Sequence, residues 1–86
     1  MKFFVYILTS KNRHNWSYVG STDDTTRRFK EHCAGKVRST KGNRPLMLVY
    51  VEERNDRESA LDREKYLKSG FGREEKTALI QNSEVV

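Results

Sequence analysis

The run FFVYILT, from Phe3 to Thr9, places the strongest constraint on how this chain folds. Extended, it sends Val5 and Ile7 to one side of the pleat and Phe4, Tyr6 and Leu8 to the other, because successive strand side chains point to opposite faces. A strand that is apolar on both sides is expected to be buried on both. At 86 residues the chain can form one core of a few layers but not two. It is therefore read as a single domain, 1–86, whose functional site lies in a shallow surface groove.

A polar loop, SKNRHN, separates this run from WSYVG, and two strand-like runs joined in that way predict an antiparallel hairpin. Thr22, Asp23 and Asp24 offer N-caps and first-turn acids, and Gly35 suits the position just past a helix end, which brackets a helix over about 24–34. The next segment, GKVRSTKGNR, lacks apolar periodicity and reads as a basic loop. PLMLVYVEE then predicts a third strand, opened by Pro45 and again apolar on both faces. Asn55 or Asp56 caps a helix running to about Lys68, with Glu58 completing a capping box if Asn55 is the cap. Ser69 to Gly72 breaks that helix, REEKTALIQ predicts a short third one, and NSEVV reads as a frayed end. The order β-β-α-β-α-α gives an α+β fold, a small antiparallel three-stranded sheet flanked by helices.

The formal charge of +5 is unevenly spread: Lys and Arg outnumber Asp and Glu nine to three from Lys11 to Arg44, and trail seven to nine from Pro45 to Val86. A basic face that tracks phosphates would have this distribution, and so would an ordinary solubilising surface. No apolar stretch nears the roughly 20 residues that span a bilayer, and none follows Met1-Lys2 to make a signal peptide. The lone Cys33 cannot form an internal disulfide, which fits the reducing cytoplasm, and it reads as a small core residue.

Glu64 is the most informative single residue. It lies four after Ala60 and three before Leu67, on the apolar stripe of its helix. A carboxylate there must be paired, hydrogen-bonded or bound to a metal, or else sit at an edge that reaches water. The other charges of that helix, Arg57, Glu58, Asp62, Arg63 and Lys65, read as a solvated face. In the first helix Phe29 and Cys33 are expected to face the core, with Arg28 and His32, four apart, at its rim. Tyr6 and Tyr18 occupy neighbouring strands, where they either pack or serve as a base once a cation stabilises the phenolate. For Tyr50 and Tyr66, core packing is expected. His14, His32 and Cys33 lack zinc-ligand spacing, the adjacent His32 and Cys33 diverge on a helix, and the glycines do not form a phosphate-binding loop.

FVYIL at Phe4 to Leu8, YVG at Tyr18 to Gly20, RRFKEH at Arg27 to His32 and REKYLK at Arg63 to Lys68, in that order, resemble the GIY-YIG nuclease superfamily, in particular its small stand-alone bacterial members. The resemblance extends from about Lys2 to Ile80. Phe4 stands where the first motif of the family has glycine, and SGFGREEK lacks the asparagine that some of its nucleases carry after the second-helix glutamate.

The resemblance implies a metal-dependent endonuclease that hydrolyses DNA phosphodiester bonds, branched or single-stranded DNA among its substrates and RNA left open, with a role in DNA repair or recombination. It implies that Tyr6 or Tyr18 is the general base, that Arg28 stabilises the pentacoordinate phosphate and that His32 assists. Glu64 would hold one Mg²⁺ or Mn²⁺, and Gly20 would keep the turn open. Arg27, Lys36, Arg38, Lys41 and Arg44 are the expected nucleic-acid contacts of a monomer. Two rivals stand beside this reading: a non-catalytic nucleic-acid-binding module of the same fold, and a protein-interaction domain whose basic surface meets an acidic partner.

Overall fold

A computed structural model describes residues 2–84. Its three strands are β1 (Phe3–Ser10), β2 (Ser17–Thr22) and β3 (Leu46–Arg54), and its helices are α1 (Thr25–Cys33), α2 (Arg38–Lys41), α3 (Arg57–Lys68) and α4 (Arg73–Glu84), with a 3₁₀ turn at Gly70–Gly72. The sheet order is β2-β1-β3 and both pairings are antiparallel, so the sequence reading of an α+β domain built on a three-stranded antiparallel sheet holds. None of the described helices is long and apolar enough to cross a membrane.

The two-sided run FFVYILT becomes the central strand and is covered on both faces. Val5 and Ile7, with Val19 of β2, pack against Ala60 and Leu67 of α3, and Leu79 and Ile80 of α4 close that layer. On the other face Tyr6, Leu8 and Leu46 pack with Trp16, Tyr18 and Phe29. Burying a Val, Leu or Ile side chain is worth about 1.5–3 kcal/mol, so the fully buried Val5, Ile7 and Leu8 make β1 the energetic centre of the fold. The edge strand β3 is less covered than its two apolar faces suggest, and Met47 and Val51 stay exposed because no layer reaches them.

Local chemistry sets the helix ends. Asp24 caps α1, its carboxylate accepting from the Arg27 amide at 3.0 Å. Gly35, at φ +79°, ends that helix in the left-handed conformation that glycine adopts without strain, its N–H donating to the His32 carbonyl. Asp56 rather than Asn55 caps α3, accepting from the Ser59 amide at 2.8 Å, so Glu58 forms no capping box.

Several expectations are corrected. Cys33 is exposed, and His32, expected at the rim, is fully buried. The basic loop contains the helical turn α2, whose flanking Val37 and internal Thr40 turn inward while Arg38 and Lys41 stay outside. The third helix runs on through Asn82 and Ser83 to Glu84 rather than fraying, while Val85 and Val86 lie outside the described residues. Tyr66 is half-exposed, because its position on α3 faces away from the sheet.

Arg63 departs furthest from its reading as a solvated charge. Its Nε donates to both oxygens of Glu52 on β3, at 3.2 and 3.0 Å, and its Nη2 pairs with Glu75 on α4. Glu52 also accepts from the Tyr50 hydroxyl at 2.6 Å and from Arg54 at 2.9 Å. Burial pushes the Glu52 carboxyl up, and Tyr50, Arg63 and Arg54 outweigh it, so the group ends below its ordinary value of 4.5. A depressed carboxyl stabilises the fold above its unfolded pKa, and that contribution is lost as pH falls through the folded value. Glu52→Gln should therefore cost about 1–3 kcal/mol at pH 7. In urea unfolding the gap between variant and parent should shrink below pH 4.5, where Glu52 in the parent takes up its proton.

Candidate active site

The site grows from a missing side chain. Gly20 lies directly across the β1–β2 ladder from Tyr6, and a Cβ there would stand 2.5 Å from the Tyr6 hydroxyl and 2.6 Å from its Cζ. Within a strand, glycine here makes room for a buried phenol to cross β2 towards α1. Its role is thus to admit Tyr6, and it lies in β2 rather than in a turn.

The Tyr6 hydroxyl ends 2.8 Å from Nε2 of His32, and the other ring nitrogen, Nδ1, is 2.8 Å from the Thr40 hydroxyl. Thr40 also lies 3.3 Å from the Val37 carbonyl, which can only accept. With the single Thr40 proton directed to Val37, its oxygen accepts from Nδ1–H, and Nε2 is left as the acceptor for the Tyr6 O–H. The chain of donors runs Tyr6 to His32 to Thr40 to Val37. Burial lowers the His32 pKa below the ordinary 6.5, the nearby Arg28 lowers it further, and Glu31 opposes both more weakly. The imidazole is accordingly neutral at pH 7.

Burial also pushes the Tyr6 phenol up to about 12, against the pull of the Arg28 guanidinium. Tyr6 is therefore a protonated phenol at neutral pH, not a standing phenolate. Tyr18 is half-buried with its ring set edge-on to His32, centroids 5.3 Å apart, and 6.3 Å from the Tyr6 ring. Arg28 donates to Glu31 at 2.9 Å and remains partly exposed.

Glu64 meets this group at the open edge of β2. Its Oε1 accepts from the Ser21 hydroxyl at 2.7 Å, and its Oε2 pairs with Lys68 at 2.7 Å. The Lys68 ammonium also sits 5.5 Å from the Tyr18 ring centroid, linking the carboxylate to the tyrosines. Glu64 is therefore both hydrogen-bonded, to Ser21, and paired, to Lys68. No group of three or more His, Cys, Asp or Glu side chains among the described residues is arranged to hold a metal ion. Glu64 would be a lone carboxylate ligand.

Tyr6, Tyr18, Arg28 and His32 thus share one side of the sheet, with Glu64 at its margin. Arg27 is drawn to Asp23 at 2.8 Å, while Lys36, Arg38, Lys41 and Arg44 are exposed along the α1–α2 segment with no carboxylate within 4.0 Å among the described residues. Sequence reasoning missed Thr40, Ser21 and Lys68. Only Lys68 carried a signal, as the basic partner four residues after a helical glutamate.

Residues 2–77 match the family described as the GIY-YIG catalytic domain. A UPF0213 protein of Staphylococcus haemolyticus is 37% identical over 81 residues, covering 93% of this chain and 95% of the relative. One of Haloquadratum walsbyi is 38% identical over 79 residues, covering 91% and 85%. The solution NMR structure of a UPF0213 protein from Bacillus halodurans superimposes with a TM-score of 0.54 at 34% identity, covering 92% of this chain and 85% of the other.

Gly20→Ala should force the Tyr6 hydroxyl off His32 at a cost of about 1–3 kcal/mol, as overpacked cores do. Two measurements check it: the unfolding midpoint in denaturant, and the ¹⁵N shift of His32 Nε2, which should lose the signature of an acceptor. In the parent, the folded His32 pKa lies below its unfolded 6.5, so its contribution to stability is complete above that pH and declines as acid is added.

Proposed function

Because the chain belongs to the GIY-YIG catalytic domain family, we propose that it is a divalent-metal-dependent endonuclease hydrolysing DNA phosphodiester bonds. The observation that carries this reading is the buried hydrogen bond from Tyr6 to His32, a proton path that begins at the site and ends on a neutral base. A tyrosine with a pKa near 12 is a poor base by itself. With His32 behind it, Tyr6 takes a proton from the attacking water while passing its own to Nε2, and no standing phenolate is required. Thr40 keeps the other nitrogen protonated and so keeps Nε2 available. His32 acts through Tyr6 and does not touch the phosphate. Tyr18 stands beside the pair with its ring edge-on to His32, and the free N–H groups of Arg28 would stabilise charge on the pentacoordinate phosphate.

Glu64 fits a hydrated Mg²⁺ or Mn²⁺, ions that take one or two carboxylates and fill the remaining positions with water and substrate oxygens, provided that Lys68 leaves Oε2. A bound ion would neutralise phosphate charge and activate the leaving oxygen. Lys36, Arg38, Lys41 and Arg44, with Arg27 at their margin, would hold the nucleic-acid backbone, reading shape rather than sequence. One observation favours the rival, a non-catalytic nucleic-acid-binding module: Lys68 already satisfies the carboxylate that the metal needs.

Tyr6→Phe and Glu64→Ala should each lower Mg²⁺- or Mn²⁺-dependent cleavage of branched or single-stranded DNA by about 100-fold or more while leaving low-salt DNA binding intact. Variants that cut as well as the parent would sink the proposed site, and salt-sensitive binding with no cleavage by any form would assign the chain to the rival. Since the relay needs an unprotonated Nε2, the rate should fall as pH drops through a pKa below 6.5. A flat profile from pH 7 down to pH 4 would remove His32 from the proton path.

A further inference from the structure

On the opposite side of the sheet from the tyrosines, at the margin of the layer formed by α3 and α4, a second concave surface opens. It is a cleft of about 500 Å³ between the β1–β2 loop and α4, within the size range of small-ligand sites. Thr9 lines it, paired across the ladder with Ser17, so both alternate with the Leu8–Tyr18 pair and point away from the catalytic group.

The chemistry of the lining is one-sided. Arg13 and His14 approach from the loop and Arg73 and Lys76 from one face of α4, and among the described residues no Asp or Glu lines the cleft. The buried hydroxyl of Thr9 has no hydrogen-bond partner among the described residues, an unmet polar group in the wall of a cationic cleft. Trp16, the only tryptophan of the chain, adds a half-buried indole, and Gln81 adds an amide. Cations facing one another from two elements suit a phosphate, and an indole beside them suits the flat face of a base.

We propose that this cleft binds a nucleotide, its phosphate held by Arg13, Arg73 and Lys76 and its base against Trp16. The ligand is either a free nucleotide or the 5′-phosphorylated end of a nucleic-acid strand, which share that chemistry. The site does not depend on the proposed nuclease activity, because none of its residues belongs to the Tyr6–His32 group.

Trp16 provides the readout. At low ionic strength, AMP should quench its fluorescence saturably, and adenosine, which lacks the phosphate, should bind about tenfold or more weakly. The surface double variant Arg73→Gln/Lys76→Gln should weaken AMP binding by a similar factor with an unchanged unfolding midpoint, while Tyr6→Phe should leave it as in the parent. Saturable quenching by a 5′-phosphorylated oligonucleotide but not by AMP or the unphosphorylated strand, lost in the double variant, assigns the site to strand ends and sustains the proposal. Absence of saturable quenching by either probe, or quenching that survives the double variant, overturns it.

Discussion

β1 has water on neither face, and this one condition governs the rest of the molecule. A strand whose Val5, Ile7 and Leu8 are all fully buried must sit between two neighbours and between two layers. The neighbours are β2 and β3, and the layers are α1 on one side and α3 with α4 on the other. Tyr6 and Thr9 are equally obliged to be inside, yet each carries a hydroxyl that the interior must accommodate. Tyr6 has His32 waiting at 2.8 Å, whereas Thr9 has no partner among the described residues. The difference separates a completed polar path from an open one.

The Tyr6–His32–Thr40 path shows how a small fold can keep polar groups in its core. Each member satisfies the next, so the desolvation that makes lone polar groups expensive instead holds the imidazole neutral and its tautomer fixed. Arg28 and Glu31 remain half in water, where their charges cost less. Neutral groups therefore lie inside and ionic groups at the rim, the arrangement expected where the interior penalises charge.

Alternation along FFVYILT revealed which residues share a face, the Asp24 and Gly35 signals bracketed α1, and the position of Glu64 on its stripe marked it out. These are properties of local spacing. Helical periodicity sets His32 beside Arg28 at the rim, but α2 folds over that side and Thr40 meets the ring, a contact that no period encodes. Arg63 reads as solvated for the same reason: its partners Glu52 and Glu75 arrive from β3 and α4. Cys33 and Phe29 looked equivalent at four residues apart, and only Phe29 lies under a neighbouring layer. What could not be read was the set of contacts made between elements distant in the chain.

Arg63 and Glu64 are adjacent on α3 and reach in different directions, one to Glu52 on β3 and the other to Ser21 on β2. Those two strands are the outer edges of the sheet. The helix is thereby moored to both banks of the platform it crosses, and a roll about its own axis in either sense pulls against one mooring. The orientation of the Glu64 carboxylate is thus set partly by an ion pair on the far edge of the sheet, well away from any substrate.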